Sequence, residues 1–221
     1  MQDISIINYL LVALASYLLG SMPGAVVVGR LFTKKNFQQE ESGNLGATNA
    51  LRIVGKEKGK LFGAAAFVCV FIFDASKAIA ACLIAMAYIP DRTAALAIAT
   101  LFTVLGHNYS VFLKFHGGRG AASLIGVLMF FNYKIFLVWF GTFLLSAIIF
   151  EIAESKKIDK KLVVRAIDKQ IIGRLAGEVI ALLPIYFLDK TLFWPALLVT
   201  PLILIRHKER VIRQIEERKK Q

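Results

Sequence analysis

The chain has 221 residues, of which 57% are hydrophobic and 19% charged, with mean hydropathy +0.63 and a formal net charge of +12. A soluble domain carries nearer a quarter charged residues, and here the apolar residues come in blocks rather than alternating with polar ones. Composition therefore excludes an ordinary soluble domain and places the chain in the membrane, as one all-α integral domain over residues 1–221 with no large soluble part.

The first block, Ile4 to Val28, has no charge and exceeds the ~20 residues a helix needs to cross the hydrocarbon core. The segment before it carries Asp3 and no Lys or Arg, so the basic start of a cleaved leader is missing, and the block reads as a retained span. Gly20-Ser21-Met22-Pro23, near its end, predicts a kink or break. Residues 61–89 form a second apolar block, and Thr93 to Leu113 a third, charge-free one, separated by a turn at Pro90-Asp91-Arg92. Ala121 to Phe150 follows, then 171–188 and 191–205, parted by Asp189-Lys190.

Charge fixes the sidedness. Of the 27 Lys and Arg, 23 fall in four segments: 30–60, 114–120, 151–174 and the tail 206–221. Positive charge marks the cytoplasmic face, so all four are expected there. The block from Ala121 to Phe150 then begins and ends inside and must turn back at Asn132-Tyr133-Lys134, which leaves short or tilted arms. The sum is a polytopic bundle of about seven transmembrane helices, with the N-terminus outside and the C-terminus cytoplasmic. Basic loops serve orientation and attract anionic lipid by themselves, so net charge says nothing about a substrate.

Four stretches are not explained by spanning a membrane. Ser42-Gly43-Asn44-Leu45-Gly46-Ala47-Thr48-Asn49-Ala50-Leu51-Arg52 is a polar, glycine-bearing loop able to aim backbone N–H groups at an anion, with Arg52 as a charged partner. A connecting loop ending in a helix cap would use the same residue types. Gly106 to Ser123 carries His107, then Gly117, Gly118, Arg119 and Gly120 before an apolar run, which puts glycine and a guanidinium at a helix start, an arrangement that suits phosphate. Lys114 and His116 lie beside Arg119 in sequence, and the spacing matches neither a Walker loop nor a dinucleotide fingerprint. Asp74 and Lys77, three apart inside the second block, share one helix face, either as a structural ion pair or as substrate contacts. His207, in Arg206-His207-Lys208-Glu209-Arg210, is able to act as acid, base or phosphate donor among residues that otherwise read as interfacial anchors. Cys69 and Cys82 lie in apolar stretches and read as small hydrophobes; no Cys/His cluster has metal spacing, and no metal is expected.

Taken together these residues resemble the PlsY family of bacterial membrane acyltransferases. Gly20-Ser21-Met22-Pro23, the Ser42–Arg52 block, the Gly106–Gly120 segment and Arg206-His207-Lys208-Glu209 match that family's motifs in order and spacing. The resemblance implies transfer of a fatty acyl group from acyl phosphate to the 1-hydroxyl of glycerol 3-phosphate, giving lysophosphatidic acid and phosphate. It implies catalytic roles for Ser42, Arg52, Arg119 and His207, and phosphate contacts from Gly43, Asn44, Gly46, Thr48, Asn49, Gly117, Gly118, Gly120 and Ser123. Asp74, Lys77 and His107 are secondary. It further implies the inner membrane of a bacterium with a cytoplasmic site, contact with lipid and with the enzyme that makes acyl phosphate, no cofactor and no nucleic acid. The acyl chain is expected against the apolar spans, without a separate pocket. Glu41, Ser110, Ala78, Arg119 and Arg210 depart from the family pattern, where glycine, proline, glycine, lysine and asparagine stand. A non-catalytic lipid- or phosphate-binding paralogue and a transporter of a phosphorylated metabolite are the competing readings; no internal repeat favours the second.

Overall fold

In the computed structural model the described residues are 6–33, 35, 37, 40, 43–155, 159–168 and 170–219. They form eleven α-helices: α1 (Ile6–Ser21), α2 (Gly24–Phe32), α3 (Ala47–Lys58), α4 (Lys60–Tyr88), α5 (Arg92–Asn108), α6 (Ala121–Phe131), α7 (Tyr133–Ser155), α8 (Leu162–Asp168), α9 (Ile171–Ile180), α10 (Leu182–Leu188) and α11 (Lys190–Lys219). Four segments are long and apolar enough to cross a membrane: Ile6–Phe32, Lys60–Tyr88, Tyr133–Ser155 and Ile171–Leu188. Their outward faces are apolar. Ile6, Ile7, Leu10, Leu11, Leu14 and Leu18 are all exposed on α1, as expected of side chains solvated by lipid rather than water.

The first block breaks where Gly20-Ser21-Met22-Pro23 predicts. Proline cannot extend the hydrogen-bond ladder, and the freed carbonyls find partners from other helices. Ser110 Oγ donates to Ser21 O at 2.6 Å, and Lys77 Nζ to Met22 O at 3.3 Å. Small residues let α1 and α5 cross closely: a Cβ on Gly20 would lie 2.1 Å from Thr103 O, and one on Gly106 the same distance from Tyr17 O.

Three turns meet at one end of the bundle. Asn132 closes α6 and, through Oδ1, receives Ile135 N at 3.4 Å; its Nδ2 donates to Asp189 Oδ2 at 2.9 Å. Asp189 Oδ1 in turn receives Leu192 N at 3.0 Å, so each turn side chain caps the next helix. Arg92 lies 5.8 Å from the centre of the Phe131 ring and brings the start of α5 to the same end. These are the turns that charge placement assigns to the outside.

Several boundaries differ from the sequence reading. The segment 30–60 is not all loop: α3 buries Ala47, Ala50, Ile53 and Val54, spaced three and four apart, against α4. Gly59, at φ +95, makes the tight link between the two helices. The third apolar block stops being helical at Asn108, so the glycine-rich loop runs 109–120 rather than 114–120. Helix α7 is 23 residues long and reaches Ser155, because Arg165 pairs with the buried Glu151 at 2.7 Å and lets the helix carry that charge. The 171–188 span is interrupted at Ala181. The tail is not separate from the last span, since α11 runs unbroken through Pro195 and Pro201 to Lys219.

Candidate active site

The glycine-rich loop is folded back on the end of α5. Gly118 N donates to His107 O at 2.9 Å, and Cβ atoms on Gly117 and Gly118 would collide with His107 O and His107 Nε2. Arg206 holds the loop from the other side, its guanidinium donating to Gly118 O at 3.0 Å and Gly117 O at 3.2 Å while lying 5.3 Å from the Tyr109 ring. Gly117 and Gly118 thus let the loop pack closely on His107, and Arg206 is a brace. Leu45 N donates to Gly117 O at 3.5 Å, which docks the Asn44–Gly46 stretch on the loop. Ser110 has φ −66, the value proline would fix, so serine fits here with the backbone unchanged.

Below the loop is a buried polar knot. Lys77 Nζ lies 2.8 Å from Asp74 Oδ1 and 3.0 Å from His107 Nδ1, with Asp74 only 2% and Lys77 6% exposed. Ser123 Oγ donates to Asp74 O at 3.2 Å. The ion pair expected from the i, i+3 spacing is present, and His107 joins it from 30 residues away.

The knot and loop form one wall of a cavity of about 230 Å³. Its polar part is lined by Asn44, Gly46, Thr48, Asp74, His107, Arg119, Gly120, Arg174, Glu178, His207 and Arg210; its apolar part includes Phe67, Phe71, Ile125, Trp139, Phe143 and Leu175. Of the residues singled out in the sequence, Asn44, Gly46, Thr48, Asp74, His107, Arg119, Gly120 and His207 meet here. Gly43, Asn49, Arg52, Lys77, Gly117, Gly118 and Ser123 do not line it, although Lys77 and Ser123 hold Asp74 in place. Ser42 lies outside the described residues. Lys114 and His116 are exposed and absent from the lining, so their nearness to Arg119 in sequence is not nearness in the site. Arg174 and Glu178 on α9 and the aromatics of α7 were not foreseen. Arg210 appeared in the sequence only as a departure.

The site is electropositive. Arg119 sits at the start of α6 beside Gly120 (φ +85), and burial, then Arg210 and Arg206, bring its pKa down to about 10 against the opposing pull of Glu209; it is still charged near neutrality. His207 is pushed down to about 4, chiefly by burial and then by Arg119, Arg210 and Arg174. It is therefore neutral at pH 7. Its Nδ1–H donates to Ile203 O at 2.8 Å, which leaves Nε2 as a hydrogen-bond acceptor. Among the described residues no group of three His, Cys, Asp or Glu could hold a metal ion. The arrangement can bind phosphate by charge, orient a hydroxyl by Nε2, and accommodate an apolar chain along one wall.

A sequence profile described as glycerol-3-phosphate acyltransferase matches residues 10–217. The chain belongs to that family. The glycerol-3-phosphate acyltransferase of Pelagibacter ubique is 39% identical over 143 residues, 63% of this chain and 69% of the relative. Glycerol-3-phosphate acyltransferase 2 of Bacillus anthracis is 32% identical over 204 residues, covering 92% and 94%. The solved structure of PlsY (YgiH), an integral membrane glycerol 3-phosphate acyltransferase, in its glycerol 3-phosphate form superposes with TM-score 0.70 and 27% identity, over 95% of this chain and 93% of that one. Its lysophosphatidic acid form gives TM-score 0.68. The chain is accordingly a multi-pass membrane acyltransferase of the PlsY type.

Proposed function

We propose that this protein transfers a fatty acyl group from acyl phosphate to the 1-hydroxyl of glycerol 3-phosphate, and that the cavity walled by α3, α4, α6, α7, α9 and α11 is where it does so. The observation that carries this is a single cavity with guanidiniums and a neutral histidine on one wall and aromatic side chains on another. That suits a reaction whose two substrates bring two phosphates and one acyl chain. A transporter needs no such combination, and a non-catalytic paralogue has no use for a neutral histidine in one cavity with three guanidiniums.

The hydroxyl oxygen attacks the acyl carbonyl carbon, the bond from that carbon to the phosphate oxygen breaks, and phosphate leaves with the electron pair. Arg119 neutralises charge building on the phosphate and the carbonyl oxygen. His207 Nε2 receives the hydroxyl hydrogen bond and orients the nucleophile. With its pKa near 4, His207 is a weaker base than a phosphate dianion, whose conjugate acid has a pKa of about 6, so the proton goes to the departing phosphate. Asn44, Gly46, Thr48 and Gly120 complete the phosphate wall, Ser42 and Arg52 belong by sequence to the same motif, and Asp74, Lys77 and His107 hold that wall rigid. The cavity is smaller than the ~300–1,000 Å³ pockets that enclose drug-sized ligands, so the far end of the acyl chain lies in lipid.

The protein sits with seven crossings in the inner membrane of a bacterium, N-terminus outside and this site cytoplasmic. Two facts support that reading: basic residues concentrate in the segments around the cavity, and the turns at Arg92, Asn132 and Asp189 gather at one end of the bundle. A cytoplasmic site also leaves the cavity open to the enzyme that makes acyl phosphate. Purified protein given palmitoyl phosphate and labelled glycerol 3-phosphate is expected to form lysophosphatidate and phosphate one to one, and none from palmitoyl-CoA. Folded protein that binds glycerol 3-phosphate yet gives no product from palmitoyl phosphate would overturn the proposal.

A further inference from the structure

Two further guanidiniums reach the cavity, Arg174 from outside the motifs singled out in the sequence and Arg210 from the position where the family motif has asparagine. Arg174 comes from the first turns of α9, and Arg210 from the cytoplasmic extension of α11, one turn beyond His207. They line the same cavity as Arg119, closely enough that both act electrostatically on Arg119 and on His207. Two carboxylates also line the cavity, Asp74 beside Lys77 and Glu178 accepting from Thr200 Oγ1 at 3.5 Å.

What sets the relation of α9 to α11 is a buried amide pair. Gln214 lies one turn after Arg210 on α11, and its Oε1 receives Ile171 N at 2.8 Å and Ile172 N at 3.2 Å, the first two amides of α9. Its Nε2 donates to Gln170 Oε1 at 2.6 Å and to Glu154 Oε2 at 3.3 Å. Gln170 Nε2 donates to the same Glu154 oxygen at 2.5 Å, and Gln170 O receives Arg174 Nε at 3.1 Å. Helix α9 is therefore capped by a side chain 43 residues further along the chain, and the carbonyl that orients Arg174 belongs to that capping unit.

We propose that Arg174 and Arg210 form a second anion subsite at the mouth of the cavity, holding the phosphate of the water-soluble acceptor, and that Gln214 is the positioning residue that sets it. This rests on the acyl-transfer reading given above. Two phosphates in one small cavity repel unless each has its own cations. Arg119 and the start of α6 adjoin the apolar wall and suit the phosphate bonded to the acyl chain. Arg174 lies in the first turn of α9 and Arg210 in the stretch of α11 beyond its apolar part, both next to the basic segments, where a soluble phosphate arrives.

The test compares Arg174→Gln, Arg174→Lys, Arg210→Gln and Gln214→Leu in the full-length protein, with KM measured separately for glycerol 3-phosphate and palmitoyl phosphate. Removing one charge-assisted contact to phosphate is expected to raise the glycerol 3-phosphate KM roughly 10- to 100-fold, with palmitoyl phosphate KM within twofold. Gln214→Leu is expected to show the same split. Gln214→Glu combined with Glu154→Gln keeps an acceptor for the α9 amides without adding a charge, and is expected to restore the lower KM. Thermal melting identifies any variant that fails to fold; Arg174→Lys then serves as the decisive charge-preserving substitution, expected to lie between wild type and Arg174→Gln. Equal changes in both KM values, or none, would overturn the subsite. Loss of stability in Gln214→Leu with an unchanged KM ratio would overturn its positioning role. Calorimetric titration with glycerol 3-phosphate separates this proposal from the reaction itself: a wild type that is inactive but binds it, and loses binding in Arg174→Gln, refutes the chemistry and keeps the subsite.

Discussion

Replacing Asp74 by Asn should cost about 3 kcal/mol, the low end of the ~3–5 kcal/mol expected when one partner of a buried ion pair is removed. The carboxylate is 2% exposed and its Oδ1 lies 2.8 Å from Lys77 Nζ, so the substitution strands an ammonium beneath the glycine loop. The cost stays at the low end because His107 Nδ1 at 3.0 Å and Met22 O at 3.3 Å still accept from that ammonium. Lys77→Met should cost about as much, since Asp74 Oδ2 already has no partner among the described residues and Oδ1 would lose its nearest one. The double variant Asp74→Leu with Lys77→Met removes both desolvated charges, and its stability should fall within ~1 kcal/mol of wild type. Unfolding in mixed micelles of rising sodium dodecyl sulfate content, followed by tryptophan fluorescence, reads this, because Trp139 is buried and one of only two tryptophans. Single substitutions each costing less than ~1 kcal/mol and adding in the double variant would refute the reasoning, since coupled neighbours must depart from additivity.

Ser110→Ala should lose about 1–2 kcal/mol by leaving the Ser21 carbonyl without its buried donor; Ser110→Pro loses the same donor but keeps the backbone because φ is already −66, so it should melt no lower than Ser110→Ala, which thermal melts of the two variants check. Gly120→Ala should destabilise the start of α6 by roughly 1–2 kcal/mol for the left-handed backbone alone, with a further clash 2.6 Å from Val104 Cγ1, and should lower turnover. The pH dependence follows from His207. Its pKa in the folded protein is lowered to about 4, so the acceptor nitrogen is free at neutral pH, and kcat/KM should fall first as the donor phosphate protonates at about pH 6 and again as pH drops through about 4. Removing a nearby positive charge favours the imidazolium, so Arg210→Asn should move that acid limb upward; a pH–rate profile of each protein shows the direction.

The helical plan was legible because hydrocarbon demands long apolar runs and orientation demands basic loops. Pro23, Asn132 and Asp189 mark breaks and turns in the chain as they do in space. Helix α3 was less visible because it lies on the bundle with one buried face, so its charged face reads as loop. The junction of the last span with its tail was hidden by Pro195, Pro201 and a change in composition, none of which stops α11. Within the site, residues in contiguous motifs could be named, but their facing could not. Gly117 and Gly118 pack against His107, while Gly120 packs against Val104 and yet lines the cavity. Arg174 and Arg210 stand 36 positions apart, and long-range packing of α9 on α11, which includes the Gln214 cap, brings them to one cavity. Phe67, Phe71, Trp139 and Phe143 have the same composition whether they face lipid or a substrate, so sequence could not choose.

The central claim is that the cavity containing Arg119 and His207 is the active site, and kcat/KM of Arg119→Ala with palmitoyl phosphate and glycerol 3-phosphate tests it most directly. The charge is predicted to act on the transition state, so kcat/KM should fall by about 10²–10³, with Arg119→Lys recovering most of the loss. An Arg119→Ala protein that folds and turns over at the wild-type rate would place the chemistry elsewhere.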